Sequence, residues 1–524
     1  MIKSGWVYAY GMGFWGPNGH DGVWHIALIN SLAKGTLEMP VFSGVKIQNY
    51  HLGFDALLAL IVRLTHLPAH WLYFQIVPLL IAPAVGIVVY QFVKAWRKSE
   101  SEAWWAVAFT YFATSWGWVI SLTRYKDVGG ESMFWAQQAI SSLLNPPFAL
   151  SLVVMFAGLW CVVTKKYRWA MAAFGILGFI KIYAGLLLLG GLFLAGAYEF
   201  IIKRNRQWLV VWTGAVILSL LFFIPLNKSS GQVIVWQPGW FLETMMAASD
   251  RVNWPKFYEA MINYKVANWP KAILAYAVAT GIFIIGNLGL RVVSLFKKPE
   301  GNGMSILMLS IVIAGFAIPM FFLQRGTPWN TIQFTYYSLV FSGILAGIYF
   351  ARFKSQVTII TLFIILTFPG VWGTLRQYLP ARPPAMISKS ELEGLKFLAA
   401  RPQGIVLTPL FDKTAADAAQ PYPPRPLYLY ESTAYVAAFS AQPTFLEDEV
   451  NLNITNFDWQ PRAKQISDFF TTLDPVVARN FLAVNHIKYI YLPQISKIRP
   501  AIGQSLIGAS TIFDNHEVAI WEVN

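Results

Sequence analysis

Residues 169–202, "WAMAAFGILGFIKIYAGLLLLGGLFLAGAYEFII", form an almost uncharged apolar stretch of 34 residues. A helix needs about 20 apolar residues to cross the hydrocarbon core of a bilayer, so this stretch is too long for one crossing. The motif "KIYAG" at 181–185 interrupts it, and we predict two shorter helices that meet there. The stretch therefore indicates a protein that crosses a membrane more than once.

Apolar stretches of spanning length recur along the chain. Of its 524 residues 56% are hydrophobic and only 13% are charged, which is unlike an ordinary soluble protein. We predict an α-helical polytopic membrane protein with about ten transmembrane helices. The other predicted crossings lie at 71–93, 103–123, 147–164, 208–226, 272–290, 304–323, 331–351 and 357–379.

The net charge of +14 is concentrated in five short loops between these stretches. This pattern is typical of cytoplasmic loops and argues against a nucleic-acid partner. The intervening loops at 124–145, 227–270 and 324–330, and the chain after the last crossing, then lie outside a cytoplasmic (inner or plasma) membrane. The basic residues are Lys94, Arg97, Lys98, Lys165, Lys166, Arg168, Lys203, Arg204, Arg206, Arg291, Lys297, Lys298, Arg352 and Lys354.

The composition changes at "QYLPARPPAM", residues 377–386, where the last apolar stretch ends. Residues 381–524 carry 12 Lys or Arg against 14 Asp or Glu. We predict three parts: a first outer loop with interfacial helices (1–70), a transmembrane domain (71–379) and a soluble extracytoplasmic α/β domain (380–524). The predicted elements of the C-terminal domain are helices in "SELEGLKFLAA" (390–400) and "VVARNFLAVN" (476–485), strands in "GIVLTPL" (404–410) and "IKYIYLPQ" (487–494), and a hairpin in "STIFDNHEVAIWEVN" (510–524).

Two further segments need an interpretation. "HLGFDALLALIVRLTHL", residues 51–67, is short for a crossing and carries Asp55 and Arg63, so we predict a partial or interfacial helix on the outer side. The acidic cluster at 447–449 is compatible with a cation site, but a solvated acidic turn is the favoured interpretation. Cys161 is the single cysteine and is interpreted as a packed thiol.

Ionisable and amide side chains beside membrane helices are costly, so each outer one is a functional candidate. Asp21 and His25 are four residues apart, which places them on one face of a helix. Helix capping by Asp21 is the structural alternative, and a divalent metal held by the two is a further one. The candidates are His20, Asp21, His25, His51, Asp55, Arg124, Lys126, Asp127, Glu131, Lys181, Arg325 and Gln333.

Two of these candidates are cations suited to an anionic headgroup or phosphate. Lys181 lies at the predicted break between two apolar helices, where it could bind such an anion. The alternative, to which we give equal weight, is a lysine side chain that extends to the membrane interface. Arg325 lies in a short outer loop, "FLQRGTPWNTIQFTYYSLVF" (322–341), which ends in a Tyr- and Trp-rich helix start. An arginine there can bind phosphate through two hydrogen bonds, whereas the aromatic residues fit an interfacial belt.

The arrangement of these segments resembles the GT-C superfamily of integral membrane glycosyltransferases. The resemblance includes the dolichyl-phosphate-mannose and aminoarabinose transferase families, and the tail is similar to that of uncharacterised bacterial members. The resemblance covers most of the chain and concerns the order of its segments. The segments that carry it are "NGHDGVWHIALINSLAKG" (18–35), "MPVFSGVKIQNYHLGFDALLALI" (39–61), "GFIKIYAGLLLL" (178–189), and "LKFLAA", "IVLTPL", "IKYIYLP" and "HEVAIWEV" in the tail.

The resemblance implies transfer of a sugar from a polyprenyl-phosphate donor to an extracytoplasmic glycan or protein acceptor, with inversion. In that superfamily an acid in the first outer loop acts as catalytic base or orients the acceptor, and Asp21 is the matching position. Lys181 and Arg325 are then expected to bind the donor phosphate. Contacts with the acceptor, or support for them, are expected from His20, His25, His51, Asp55, Asp127 and Gln333.

Three matters stay open at this stage. Some members of the superfamily use a divalent metal, which here would be Mg²⁺ or Mn²⁺ at Asp21 and His25. Members also have a transmembrane helix before the first loop, whereas "MIKSGWVYAYGMGFW" (1–15) precedes it here; we expect the true start to lie upstream, the alternatives being tolerated loss of that helix or loss of activity. A transporter or lipid flippase, or a non-catalytic envelope scaffold, is the alternative function.

Overall fold

The computed structural model describes residues 1–136, 145–227, 234–296, 300–496 and 498–524. Within them the helices of six or more residues are α1 Asp21–Ala33, α2 Gly53–Thr65, α3 Ala69–Arg97, α4 Glu100–Phe112, α5 Gly117–Tyr125, α6 Pro146–Val163, α7 Tyr167–Ile180, α8 Ile182–Lys203, α9 Gln207–Leu226, α10 Trp240–Ala247, α11 Pro255–Ala267, α12 Trp269–Phe296, α13 Gly303–Phe321, α14 Ile332–Phe350, α15 Gln356–Tyr378, α16 Lys389–Ala399, α17 Lys413–Ala419, α18 Tyr435–Ser440, α19 Glu449–Ile454, α20 Gln460–Thr471 and α21 Pro475–Val484. The strands are β1 Val7–Tyr8, β2 Gly11–Phe14, β3 Ile234–Trp236, β4 Phe322–Gln324, β5 Ala385–Ser388, β6 Ile405–Leu407, β7 Arg425–Pro426, β8 Ile487–Pro493, β9 Ala509–Asp514 and β10 Val518–Val523.

The chain forms two compact units. The first unit joins Met1–Leu79 to Leu379–Asn524, and the second is Leu80–Tyr378. The predicted division into 1–70, 71–379 and 380–524 stays a prediction, and each unit is described by itself.

Most of the helices of the second unit are long and apolar. In the described part of the chain, eight helices are long and apolar enough to cross a membrane: α3, α6, α8, α9, α12, α13, α14 and α15. Helix α14 is almost entirely buried, and its hydroxyl and small side chains allow close packing, as the bond from Ser338 Oγ to the Ile311 carbonyl oxygen at 3.0 Å shows. The prediction of a polytopic helical membrane protein is confirmed.

Two of the ten predicted crossings differ from a single long helix. The stretch 103–123 is divided between α4 and α5, because Ser115 Oγ donates to the Glu131 carbonyl oxygen at 2.9 Å and Gly117 packs directly against Gly130. Helix α7 has only 14 residues. The break after it is where the sequence predicts it, since Lys181 is extended (φ −154°, ψ 111°) between α7 and α8. The count of ten crossings stays a prediction.

The first unit contains two four-stranded sheets. In one, β6 is parallel to β8, and β8, β10 and β9 follow in antiparallel order, so the predicted strands and terminal hairpin are confirmed. In the other, the hairpin of β1 and β2 pairs with β5 through Gly11 opposite Ser388 and Phe14 opposite Ala385. The first residues of the chain are therefore an integral part of a sheet completed after residue 384.

Helix α2 is short and amphipathic, and it lies where a partial or interfacial helix was predicted; its position on the outer side stays a prediction. Its 13 residues extend about 20 Å, which is less than the ~30 Å hydrocarbon core. Asp55 and Phe54 are buried, whereas Leu60 and Leu64 on the other face are exposed. Such a face fits the membrane interface better than the interior of the bilayer.

Pairing of β2 with β5 requires glycine at position 11, which gives a first testable prediction. Gly11 has φ +129°, and a Cβ there would lie 2.1 Å from the Ile387 carbonyl oxygen. We expect Gly11→Ala to destabilise the first unit by ~1–3 kcal/mol, measured as a lower Tm by tryptophan fluorescence. Gly44→Ala is the matched control, because Gly44 also has positive φ (+78°) but nothing within 4 Å of a Cβ. Equal effects of the two variants would contradict the clash.

Candidate active site

Asp21 is the first residue of α1, and its side chain is 52% exposed. His20, not Asp21, occupies the N-cap position, and no side-chain capping hydrogen bond is present there. The Asp21 Oδ1 atom instead lies 3.1 Å from His20 Nδ1. Capping is therefore not what Asp21 does in this helix, and its carboxylate is held by the preceding residue.

His20 connects Asp21 to the C-terminal part of the chain. Its Nε2 lies 3.3 Å from Oδ1 of Asp448, a fully buried carboxylate that also accepts from Asn451 Nδ2 at 2.9 Å. Burial alone would lower the pKa of His20, but the charges and hydrogen bonds of Asp448 and Asp21 outweigh it and hold the pKa well above 6.5. His20 is thus a cation between two carboxylates, one buried and one half exposed.

The acidic cluster at 447–449 was interpreted as a solvated turn, and this is wrong. Glu447 and Asp448 are buried. Glu447 accepts the amide hydrogens of Val436 and Ala437 at 3.0 and 2.9 Å, at the start of α18, and burial raises its pKa to about 8. Asp448 is the N-cap of α19, with the amide of Asn451 at 3.0 Å. Backbone donors at two helix starts therefore offset part of the cost of burying these acids.

Glycines on both sides of the His20–Asp21 pair allow neighbouring side chains to pack closely against the backbone there. A Cβ on Gly19 would meet Ala385 and Tyr430 at 3.1 Å, and one on Gly22 would meet the Phe74 ring at 2.7 Å. The sequence pattern Gly-His-Asp-Gly thus matches close packing on each side of α1. This signal was present in the sequence.

His25 forms a second buried acid–base pair, with Asp55. The distance from His25 Nδ1 to Asp55 Oδ1 is 2.7 Å, and both side chains are buried. Among the described residues Asp55 Oδ2 has no hydrogen-bond partner. The His25 ring stacks on Tyr73, with 5.5 Å between ring centroids. The structure thus joins two of the predicted candidates from different segments.

The alternative of a metal at Asp21 and His25 has little support in this geometry. In the described ranges no group of three or more His, Cys, Asp or Glu side chains is arranged to hold a metal ion. Asp21 Oδ1 and His25 Nδ1 both have other partners, His20 and Asp55. Two residues of one helix are too few for Mg²⁺ or Mn²⁺, which take about six ligands.

The remaining candidate of the first unit, His51, stacks on Tyr50 with 4.5 Å between ring centroids.

In the second unit, Asp127 forms an ion pair with Arg376, which lowers the pKa of the Asp127 carboxyl. Both side chains of that pair are about half exposed. A surface ion pair of this kind contributes little to stability, and it does not distinguish a structural from an acceptor-binding role.

Lys181 is 5% exposed at the break between α7 and α8. Its Nζ lies 5.7 Å from the centroid of the Tyr183 ring, and the Tyr183 hydroxyl donates to Gln324 Oε1 at 3.0 Å. Gln324 precedes Arg325, which is exposed, and Gln333 donates to Asn330 at 3.3 Å. A lysine this buried does not extend into solvent, and its expected contact with the donor phosphate stays a prediction.

One cation of the second unit was missed by sequence analysis. The guanidinium of Arg251 lies 3.9 Å from the Trp135 ring centroid, and Trp135 stacks on Trp329 at 4.3 Å. Arg251 Nη1 pairs with Asp250 at 2.9 Å, whereas its Nε is buried without a hydrogen-bond partner among the described residues. Trp135 has φ +75°, which is rare for a bulky residue. No spacing in the sequence connects residues 135, 251 and 329.

Comparisons with known proteins add information on the fold. No protein-family model matches the chain, and no curated protein matches it significantly in sequence. Among solved structures it is similar to the archaeal oligosaccharyltransferase AglB from Archaeoglobus fulgidus in complex with an inhibitory peptide and a dolichol-phosphate. The TM-score is 0.48 and the identity 9%, over 95% of this chain and 68% of that one.

Two further solved structures are similar. The oligosaccharyltransferase of the same organism in complex with Zn and sulfate has a TM-score of 0.48 and 12% identity, over 93% of this chain and 65% of that one. ArnT from Cupriavidus metallidurans bound to undecaprenyl phosphate has a TM-score of 0.38 and 11% identity, over 97% and 94%. Both neighbours are glycosyltransferases of the GT-C fold, the superfamily that the sequence resembles. At this identity the likeness concerns the fold alone, and no residue's role follows from it.

The charge state of His20 gives a second testable prediction. We expect an NMR titration of ¹³C-labelled histidine to place the His20 midpoint well above 6.5, and Asp448→Asn to lower it, because one of two compensating carboxylates is lost. Since the folded pKa is raised, the imidazolium stabilises the protein fully below the unfolded value of about 6.5, and this contribution is lost as the pH rises through the folded pKa.

The exposed Asp468 of α20 provides the control. Asp468→Asn removes one carboxylate from the same unit and should leave the His20 midpoint unchanged. An unchanged midpoint in Asp448→Asn would show that Asp448 does not hold the charge of His20.

Proposed function

We propose that the protein is a membrane glycosyltransferase that transfers a sugar from a polyprenyl-phosphate donor to an extracytoplasmic acceptor with inversion. Asp21 acts as base, with Asp21 and residues 380–524 on the outer side of the cytoplasmic membrane. The observation that carries the proposal is the half-exposed Asp21 carboxylate at the start of a buried helix, held by a charged His20 that is itself held by Asp448. A carboxylate with this support is fixed in place and accessible to a second molecule.

In this reaction the only role of Asp21 is to accept a proton. The acceptor hydroxyl oxygen forms a bond to the anomeric carbon as the bond from that carbon to the phosphate oxygen breaks, and the phosphate keeps the electron pair. Asp21 takes the hydroxyl proton, a step in which a positioned base contributes about 10²–10⁴-fold. His20 orients the carboxylate through the 3.1 Å contact and leaves proton transfer to Asp21.

The leaving phosphate needs positive charge in an apolar environment. Lys181 is a buried cation at a helix break, and the exposed Arg325 follows Gln324, the residue that binds Tyr183. Such cations stabilise the charge that develops on a leaving phosphate. Polyprenyl phosphates are bound in two of the neighbouring solved structures, so this carrier class is the first to test here.

Replacement of Asp21 tests the base. We expect Asp21→Asn to reduce transfer of radiolabelled sugar from membrane lipid by about 10²-fold or more, because the amide cannot take the proton. The protein should remain folded, since Asn keeps the size of the side chain. Asp468→Asn, an exposed acid of the same unit, should retain full activity.

Unchanged transfer by Asp21→Asn would contradict a catalytic role of Asp21. Absence of transfer by the wild type with every polyprenyl-linked donor supplied would instead favour a transporter, flippase or scaffold.

Replacement of Lys181 tests the donor phosphate site separately. We expect Lys181→Gln to reduce kcat/KM for the lipid-linked donor by about 10²-fold, as loss of one electrostatic contact to a developing anion does, and to weaken binding of undecaprenyl phosphate. Lys354→Gln, at an exposed lysine in a predicted cytoplasmic loop, is the control. Equal activity of both variants would indicate that Lys181 has no part in donor binding.

A further inference from the structure

Two short loops of the second unit carry a dense group of cations. One loop joins α6 to α7 and the other joins α8 to α9. Six lysines and arginines lie in these loops or within two residues of them, and all six are exposed. The members of this group, called the basic patch below, are Lys165, Lys166, Arg168, Lys203, Arg204 and Arg206.

Helix packing places the two loops beside each other at one end of the unit. Helices α7 and α9 begin at these loops and run in the same direction, because Gly214 packs against Met171 and, one turn further along both helices, Leu218 packs against Gly175. The axes of helices in such contact are about 8–10 Å apart. The six cations therefore form one surface, although they come from two segments of the sequence.

Acidic side chains neutralise little of this charge. Lys203 Nζ lies 3.4 Å from Glu199 Oε1, and the same carboxylate also accepts the amide hydrogen of Gly303 at 2.7 Å. The other five members of the basic patch form no ion pair with any residue that the structure describes. The patch therefore keeps a large excess of positive charge.

The cations beside the loop between α3 and α4 provide a contrast. Lys94 pairs with Glu100 at 2.6 Å, and Arg97 pairs with Glu102 at 2.7 Å and with Glu300 at 2.6 Å. That group lies at the same end of the unit, because the chain just after Glu300 contacts Glu199 beside the patch. Both groups belong to predicted cytoplasmic loops, but only the basic patch leaves its charge available to anions outside the chain.

Exposed apolar side chains lie within about one helical turn of the basic patch. Trp169 is 72% exposed, and Ile201 and Ile202 are also strongly exposed. Lys166 Nζ lies 4.7 Å from the centroid of the Trp160 ring. Helix α9 starts at the patch, is long enough to cross a membrane and is mostly exposed. Tryptophan and cations beside exposed aliphatic side chains are typical of a membrane–water interface.

We infer that the basic patch binds the phosphate groups of acidic phospholipids, whose acyl chains cover the apolar side chains beside it. Lysine and arginine at a membrane surface attract anionic headgroups, and arginine can hold a phosphate through two hydrogen bonds. A soluble polyanion would satisfy the cations but leave Trp169, Ile201 and Ile202 uncovered.

This lipid site is separate from the proposed donor site. Lys181 follows the other end of α7, and the 14 residues of that helix extend about 20 Å. The inference goes beyond the proposed function and does not depend on it.

The test is native mass spectrometry of the full chain in a mild detergent. Dioleoylphosphatidylglycerol is the acidic probe, and dioleoylphosphatidylcholine is the control with the same acyl chains and no net charge. We expect the acidic lipid to bind about tenfold more tightly or better, and this preference to decrease at high salt, because salt screens exposed charges.

Paired double variants test the position of the site. Arg168→Gln with Arg206→Gln should weaken binding of phosphatidylglycerol about tenfold. Lys94→Gln with Lys98→Gln should leave it unchanged, although these two exposed lysines also belong to a predicted cytoplasmic loop. Each double variant removes two positive charges, so a role of the cations in membrane topology alone would affect both equally. Arg168→Lys with Arg206→Lys keeps the charge and should retain most of the binding.

Four outcomes would overturn the inference. They are equal binding of the two lipids, equal loss of phosphatidylglycerol binding in the two glutamine double variants, displacement of phosphatidylglycerol by a single-stranded oligonucleotide or inorganic phosphate, and its displacement by undecaprenyl phosphate. The third outcome would assign the patch to a soluble anion, and the fourth would assign it to the donor. Because none of these variants changes Asp21 or Lys181, failure here leaves the proposed function intact.

Discussion

A charged imidazole between two carboxylates is the interaction on which the first unit depends. His20 contacts Asp21 through one ring nitrogen and Asp448 through the other, so a residue near the start of the chain is held by a residue far beyond the last membrane helix. Removal of a buried carboxylate from such a set leaves an uncompensated charge, which is strongly destabilising. The arrangement therefore requires the N-terminal loop and the C-terminal segments to be assembled together.

The two carboxylates that contact His20 differ in their exposure to solvent. Asp448 is fully buried and serves the helix start of α19, whereas Asp21 is half exposed at the start of α1. Two carboxylates on one imidazole thus have different surroundings, and the exposed one is able to meet another molecule.

Local patterns in the sequence predicted much of the fold, because they depend on neighbours along the chain. The apolar stretches predicted the membrane helices, and the lysine at 181 predicted the break between α7 and α8. The pairing of β2 with β5 and the burial of Glu447 depend on partners hundreds of residues away or on amides of another helix, so no local pattern reveals them. Asp21 could be named as a candidate from the sequence, and its role stays a prediction; its link to Asp448 through His20 and the position of Arg251 beside Trp135 could not be predicted.

Pairing of β2 with β5 also has a consequence for biosynthesis. Gly11 lies opposite Ser388, so the sheet that contains β2 cannot be completed until the last membrane helix, α15, has left the ribosome. Closure of so long a loop is entropically costly and slow compared with helix formation. During synthesis β2 therefore stays without its partner strand β5, and the contact of His20 with Asp448 forms only near the end of translation.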